Sequence, residues 1–240
     1  QSANTSGQGY GNDRVIADCL DGAYDSSNFG NCYSMQVWPD GTSPIMELGP
    51  VLYYPQVSRD TALDSQVSVH EYAHGISKRL VGGAANVNVL SATQSRQIGE
   101  GFSDWLALMF TQKDSDQKVP PPEVGPYQFA KWSLGGTSDY RYAYNYTFDL
   151  AYFSALHPDY GRGVWGNVLW DLNWELIDRH GFSKDLFSQG YVNQSSPGNV
   201  IALKLVMDAM KIMPANPTFI EARDAILIAD SMLTGGQNSK

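Results

Sequence analysis

The segment Val67-Ser68-Val69-His70-Glu71-Tyr72-Ala73-His74-Gly75 holds two of the chain's 4 histidines, one helical turn apart. Residues at i and i+4 of a helix project from one face, so both imidazoles can reach a single metal ion. Glu71, beside His70, is placed to take a proton from a water that such a metal activates. A catalytic zinc keeps an open position and takes a third protein ligand, so a carboxylate or imidazole is expected on another element. Gly99-Glu100-Gly101-Phe102-Ser103-Asp104-Trp105 supplies it, with Glu100 as candidate ligand. Asp104, one turn on and on the same face, is the candidate acceptor for the remaining N–H of His70. The flanking glycines are poor helix formers and are expected to admit a close helix–helix approach. The chemistry indicated is metal-assisted hydrolysis.

These residues need helices to hold them. An apolar stripe at Val69, Ala73, Ile76 and Leu80 predicts a first helix from Leu63 that stops at Gly82-Gly83. Ile98, Phe102, Trp105 and Met109 predict a second from about Ser95 to Thr111. Three more are predicted: Gly163 to Arg179 with Trp165, Leu169, Leu172 and Leu176 inward, Asn199 to Met213, and Pro217 to Leu233. In the last, Asn216 is the expected N-cap and Pro217 the first helical residue. Residues 1 to about 60 are rich in Gly, Asn, Asp, Tyr and Pro and predict loops with one or two strands, at Arg14–Ala17 and Tyr33–Trp38. The expected fold class is α+β, mainly α: a β-rich segment over 1–60 and a helical metal-binding lobe over 61–240. The Pro-rich turn Val119 to Pro126 and the aromatic-rich stretch Tyr127 to Tyr160 carry no assigned element.

Composition excludes several classes. The 240 residues are 42% hydrophobic and 17% charged, which is ordinary for a folded domain, and the net charge of −9 disfavours a phosphate-backbone partner. No apolar run approaches the ~18 residues of a membrane span; the richest, Val200 to Met213, carries Lys204, Asp208 and Lys211. With Gln1 first and no basic-then-apolar leader, the chain reads as a processed piece of a longer product. Cys19 and Cys32 share a loop-rich segment, where they either close a short disulfide or remain free thiols. Sequons at Asn4, Asn145 and Asn193 are compatible with secretion.

His70-Glu71-Tyr72-Ala73-His74-Gly75 with the following glycine pair, Gly99-Glu100-Gly101-Phe102-Ser103-Asp104-Trp105, and the later stretches VWGNVLWDLNWELID and NPTFIEARDAILIAD together resemble the fungalysin-type zinc metallopeptidases, relatives of thermolysin. The resemblance runs from about Gly9 to Gly236. It implies a thermolysin-like helical lobe, one zinc held by His70, His74 and Glu100, and Glu71 as catalytic base. It also implies a secreted endopeptidase acting on protein or peptide substrates, whose precursor carries a signal and an inhibitory propeptide. Asn12 is implied to lie on an edge strand that aligns the substrate.

The chain departs from the family pattern in three places. Only 69 residues precede His70, so much of the usual first lobe is expected to be absent, cleaved or on another piece. Ala215 stands where the family has a Cys before Asn-Pro. The second electrophile that would stabilise the oxyanion does not align cleanly: His157 is ranked first and Tyr160 second, with Arg162 also near. Aminopeptidase activity is the nearest rival, and no motif for holding a free amine is found. A reading from another class is a zinc-binding interaction module with little or no turnover. A calcium ion remains open among the Asp, Asn and Tyr residues of the first 60.

Overall fold

A computed structural model of the chain describes residues 14–20, 33–39, 41–53, 57–83, 86–118, 161–187 and 189–239. Among these, the stripes of apolar residues become five helices: α1 (Ser65–Leu80), α2 (Thr93–Thr111), α3 (Gly161–His180), α4 (Gly198–Ile212) and α5 (Phe219–Thr234). Asp64 caps α1, its Oδ1 accepting from Gln66 N at 3.0 Å. Gly82, at φ +68°, ends it in a conformation that only glycine adopts without strain.

The core explains why α2 tolerates glycines in its interior. Two such glycines cost about 2 kcal/mol relative to alanine. Burying side chains the size of Phe102 and Trp105, both almost fully removed from solvent, contributes about 1.5–3 kcal/mol each. Packing therefore outweighs propensity. The same core takes Ala73 and Leu80 from α1, Trp165, Leu169 and Leu176 from α3, Ile201 and Leu205 from α4, and Ala222 and Ile226 from α5. α2 lies between α1 and α3, and α4 packs between α3 and α5.

The segment before α1 is more strand-rich than its Gly and Pro content predicts. It forms β1 (Ile16–Cys19), β2 (Tyr33–Gln36), β3 (Ile45–Leu48), β4 (Pro50–Tyr53) and β5 (Val57–Asp60). β3 is central, parallel to β1 (Ile16 opposite Ile45) and antiparallel to β2 (Tyr33 opposite Leu48), while β4 and β5 form a separate antiparallel pair. The first two strands fall close to the expected runs. The other three were hidden because Pro44, Gly49 and Pro50 read as breakers; alternation nevertheless sends Met46 and Leu48 into a small cluster with Met35 and with Val67 of α1. On the opposite face Glu47 accepts from Ser34 Oγ and Gln36 Nε2, each at 2.5 Å. The sheet thus backs the N-terminal half of the histidine-bearing helix.

One expected cap is corrected. α5 starts at Phe219, not Pro217, and its N-cap is Thr218, whose hydroxyl accepts from Glu221 N while Glu221 Oε2 accepts from Thr218 N at 2.8 Å. Asn216 adopts a left-handed conformation at φ +55° and turns its side chain toward the start of α2.

Candidate metal centre

α1 and α2 pack side by side and bring four expected side chains together. His70 Nε2 and His74 Nε2 are 3.1 Å apart. Glu100 Oε2, from α2, lies 3.4 Å from His70 Nε2 and 3.6 Å from His74 Nε2. Without a metal, one ring N–H can bridge to the other nitrogen or to Glu100; with both Nε2 atoms deprotonated, the two lone pairs face one point at which a cation can sit.

The triangle can be tested against a metal. Zinc bound tetrahedrally at 2.0–2.1 Å by nitrogen and oxygen has ligand atoms about 3.3–3.4 Å from one another. The observed 3.1, 3.4 and 3.6 Å bracket that edge, so these three donors fit one zinc. Glu71 also offers an oxygen, within 4.8 Å of the ligand atoms of His70 and His74. Glu100, at 3.4 and 3.6 Å from the two nitrogens, closes the triangle at the zinc ligand spacing.

Asp104 orients His70. Its Oδ1 accepts from His70 Nδ1 at 2.7 Å, which keeps a proton on Nδ1 and turns Nε2 toward Glu100 and His74. Asp104 is itself buried, in the middle of α2. Gly99 admits a close neighbour from the turn before its own helix. The neighbour of Gly99 is Leu90 in the turn before α2, whose Cδ1 would stand 3.3 Å from a Cβ at that position.

Charge is concentrated here. Burial pushes the His70 imidazolium toward deprotonation, but the Asp104 carboxylate, with Glu100 and Glu71 nearby, prevails and raises its pKa to about 10. Burial pushes Glu100 upward, and hydrogen bonds from both imidazoles overcome this and hold its carboxyl well below the usual range. Glu71 moves the other way: burial, reinforced by the Glu100 carboxylate, raises its pKa against the pull of the two histidines. Lys78, one turn beyond His74, has its pKa lowered by burial, with Glu100 and Glu71 opposing the shift.

His157, Tyr160, Asn12 and Cys32 lie outside the described residues. Cys19 is exposed at the end of β1. Sequence reasoning missed Asn216 and Leu90 as neighbours of this region. Asn216 takes the positive φ that Asn tolerates better than most non-glycine residues, but nothing local names its partners.

Two imidazoles and a carboxylate meeting between two packed helices, with a second carboxylate holding one ring, form a candidate metal centre. The chain belongs to the fungalysin metallopeptidase (M36) family, whose profile matches residues 1–240. It is similar to extracellular metalloproteinase 2 of Trichophyton tonsurans and of Arthroderma benhamiae, each 38% identical over 246 residues and 99% of this chain. It is also similar to extracellular metalloproteinase mep of Aspergillus fumigatus, 38% identical over 243 residues. The chain spans about 37% of the length of each of these relatives.

Proposed function

We propose that this chain is the helical catalytic portion of a secreted zinc endopeptidase that hydrolyses peptide bonds in protein or peptide substrates. The observation that carries the reading is the convergence of His70 Nε2, His74 Nε2 and Glu100 Oε2 within 3.6 Å. Secretion is supported by the naming of the relatives as extracellular. No helix among the described residues is long and apolar enough to cross a membrane.

In this reading His70, His74 and Glu100 hold the zinc, and a bound zinc supplies Lewis acidity, which acidifies a coordinated water and polarises the scissile carbonyl. Glu71 accepts a proton from the attacking water and passes it to the leaving amine. Its raised pKa suits both halves of that task, because a base nearer neutrality is also a usable acid. Asp104 keeps the His70 tautomer and ring fixed. His157, then Tyr160, would donate to the oxyanion, and Asn12 would sit on the strand that aligns the substrate. A Cys19–Cys32 bridge would staple the segment ahead of the zinc helix, and a propeptide would restrain the precursor.

Hydrolysis of casein or a quenched peptide, compared between the wild type and Glu71→Gln, tests the proposal. The variant is expected to retain zinc and lose turnover. A wild type that holds zinc stoichiometrically and cleaves neither substrate would instead be a zinc-binding interaction module, and release of N-terminal residues alone would make it an aminopeptidase.

A further inference from the structure

The first residue before α2 is Ala92, whose side chain can cap nothing. The work is done from the other end of the molecule. Asn216, in the turn between α4 and α5, accepts at Oδ1 from Ser91 N at 2.8 Å and Ala92 N at 3.0 Å. The hydroxyls of Ser91 and Ser95 both stand 3.2 Å from the same oxygen. Asn216 N donates to Val89 O at 2.6 Å, and Asn216 Nδ2 to Asn88 O at 3.4 Å. In return, Gln94 Oε1 of α2 accepts from Phe219 N, the first residue of α5, at 3.1 Å. The two helix starts therefore satisfy each other's backbone groups.

The clamped turn has a direct mechanical link to the metal centre. It carries Leu90, which packs on Gly99, the residue that immediately precedes Glu100. Ile98, Phe102 and Trp165 line the same apolar space beside Leu90. Phe219, held by Gln94, stacks on Trp165 with ring centroids 6.0 Å apart, so the knot also reaches α3. Asn216 keeps a left-handed backbone to make these contacts, a conformation unfavourable for a residue other than glycine.

We propose that Asn216 is a positioning residue for the metal centre: by clamping the 88–92 turn it presses Leu90 against Gly99 and so fixes Glu100 opposite His70 and His74. Metal ligands need placement to about half an ångström, and the clamp acts two turns from Glu100 on the same helix. The inference rests on the zinc reading above.

Three variants test it. Asn216→Gly relieves the backbone conformation and deletes the acceptor; Asn216→Asp keeps the acceptor; Leu90→Ala keeps the clamp and cuts the link to Gly99. Two readouts are taken well below the unfolding temperature: the imidazole nitrogen resonances of His70 and His74 in the metal-free chain, by NMR, and zinc affinity, by chelator competition. Asn216→Gly and Leu90→Ala are expected to shift or broaden both imidazole signals and to weaken zinc about 3- to 30-fold, while Asn216→Asp stays within about 2-fold of wild type. Unchanged imidazole signals and zinc affinity in Asn216→Gly, with only a lower Tm, would overturn the role. Should the wild type itself take up no zinc, the zinc reading fails, and the imidazole spectra alone decide the clamp.

Discussion

His70 and Asp104 stand 34 positions apart in the chain and 2.7 Å apart in space, Nδ1 to Oδ1. The contact makes one helix of the pair responsible for the ring orientation of the other. Asp104→Ala is expected to weaken zinc affinity or activity about 10- to 100-fold with the helical content unchanged. Chelator competition and circular dichroism measure the two quantities, and wild-type values of both would remove Asp104 from the metal centre.

The ligand set makes a sharper forecast. His74→Ala and Glu100→Ala should each abolish stoichiometric zinc retention after gel filtration, as read by elemental mass spectrometry, because each removes one corner of the triangle. Full retention in Glu100→Ala would pass the third corner to Glu71.

The protonation of His70 sets a pH signature in the metal-free chain. Its folded pKa, about 10, lies above the ordinary 6.5, so the protonated ring contributes stability that is fully present below pH 6.5. That contribution is lost as pH rises through about 10. Thermal unfolding followed across this window should show Tm falling in the wild type, with a flatter profile in Asp104→Asn. Zinc uptake at pH 8 should also release about one proton from His70, read by calorimetry in buffers of different ionisation enthalpy; no buffer dependence would contradict the raised pKa.

The Glu71 pKa is shifted in the same direction as that of His70. Burial raises the pKa of Glu71 above the usual carboxylate value of 4.5 in the metal-free chain, so its carboxyl carbon should titrate above that value by NMR. A titration at or below 4.5 would contradict the burial-driven shift.

Gly82 tests the end of the zinc helix. A Cβ there would meet Val89 Cγ1 at 2.6 Å, on a backbone at φ +68°. Gly82→Ala should destabilise the fold by about 1–3 kcal/mol in urea titration; a change under 0.5 kcal/mol would show that the turn relaxes freely.

The helices were readable because burial imposes a 3.6-residue period that Val69, Ala73 and Leu80, or Ile98, Phe102 and Trp105, display without ambiguity. The spacing of His70, His74, Glu100 and Asp104 was readable for the same reason, since faces of helices are local properties. Strand β3 was not, because only Met46 and Leu48 turn inward and Pro44 and Gly49 flank them. Asn216-Pro217 imitated an N-cap, although Thr218 and Glu221 held the stronger signal two residues on. What Asn216 does could not be read locally at all, for its partners are more than a hundred positions away.

That difference in range orders the assembly of the molecule. His70, His74, Glu100 and Asp104 belong to one helix–turn–helix, so their contacts close only short loops and can form early, at small entropic cost. The Asn216 bond to Ser91 spans 125 positions and closes a far longer loop, one that runs through α3 and α4. The α1–α2 contacts therefore cost less loop entropy to close than the Asn216 contact, which draws the start of α5 back to the start of α2.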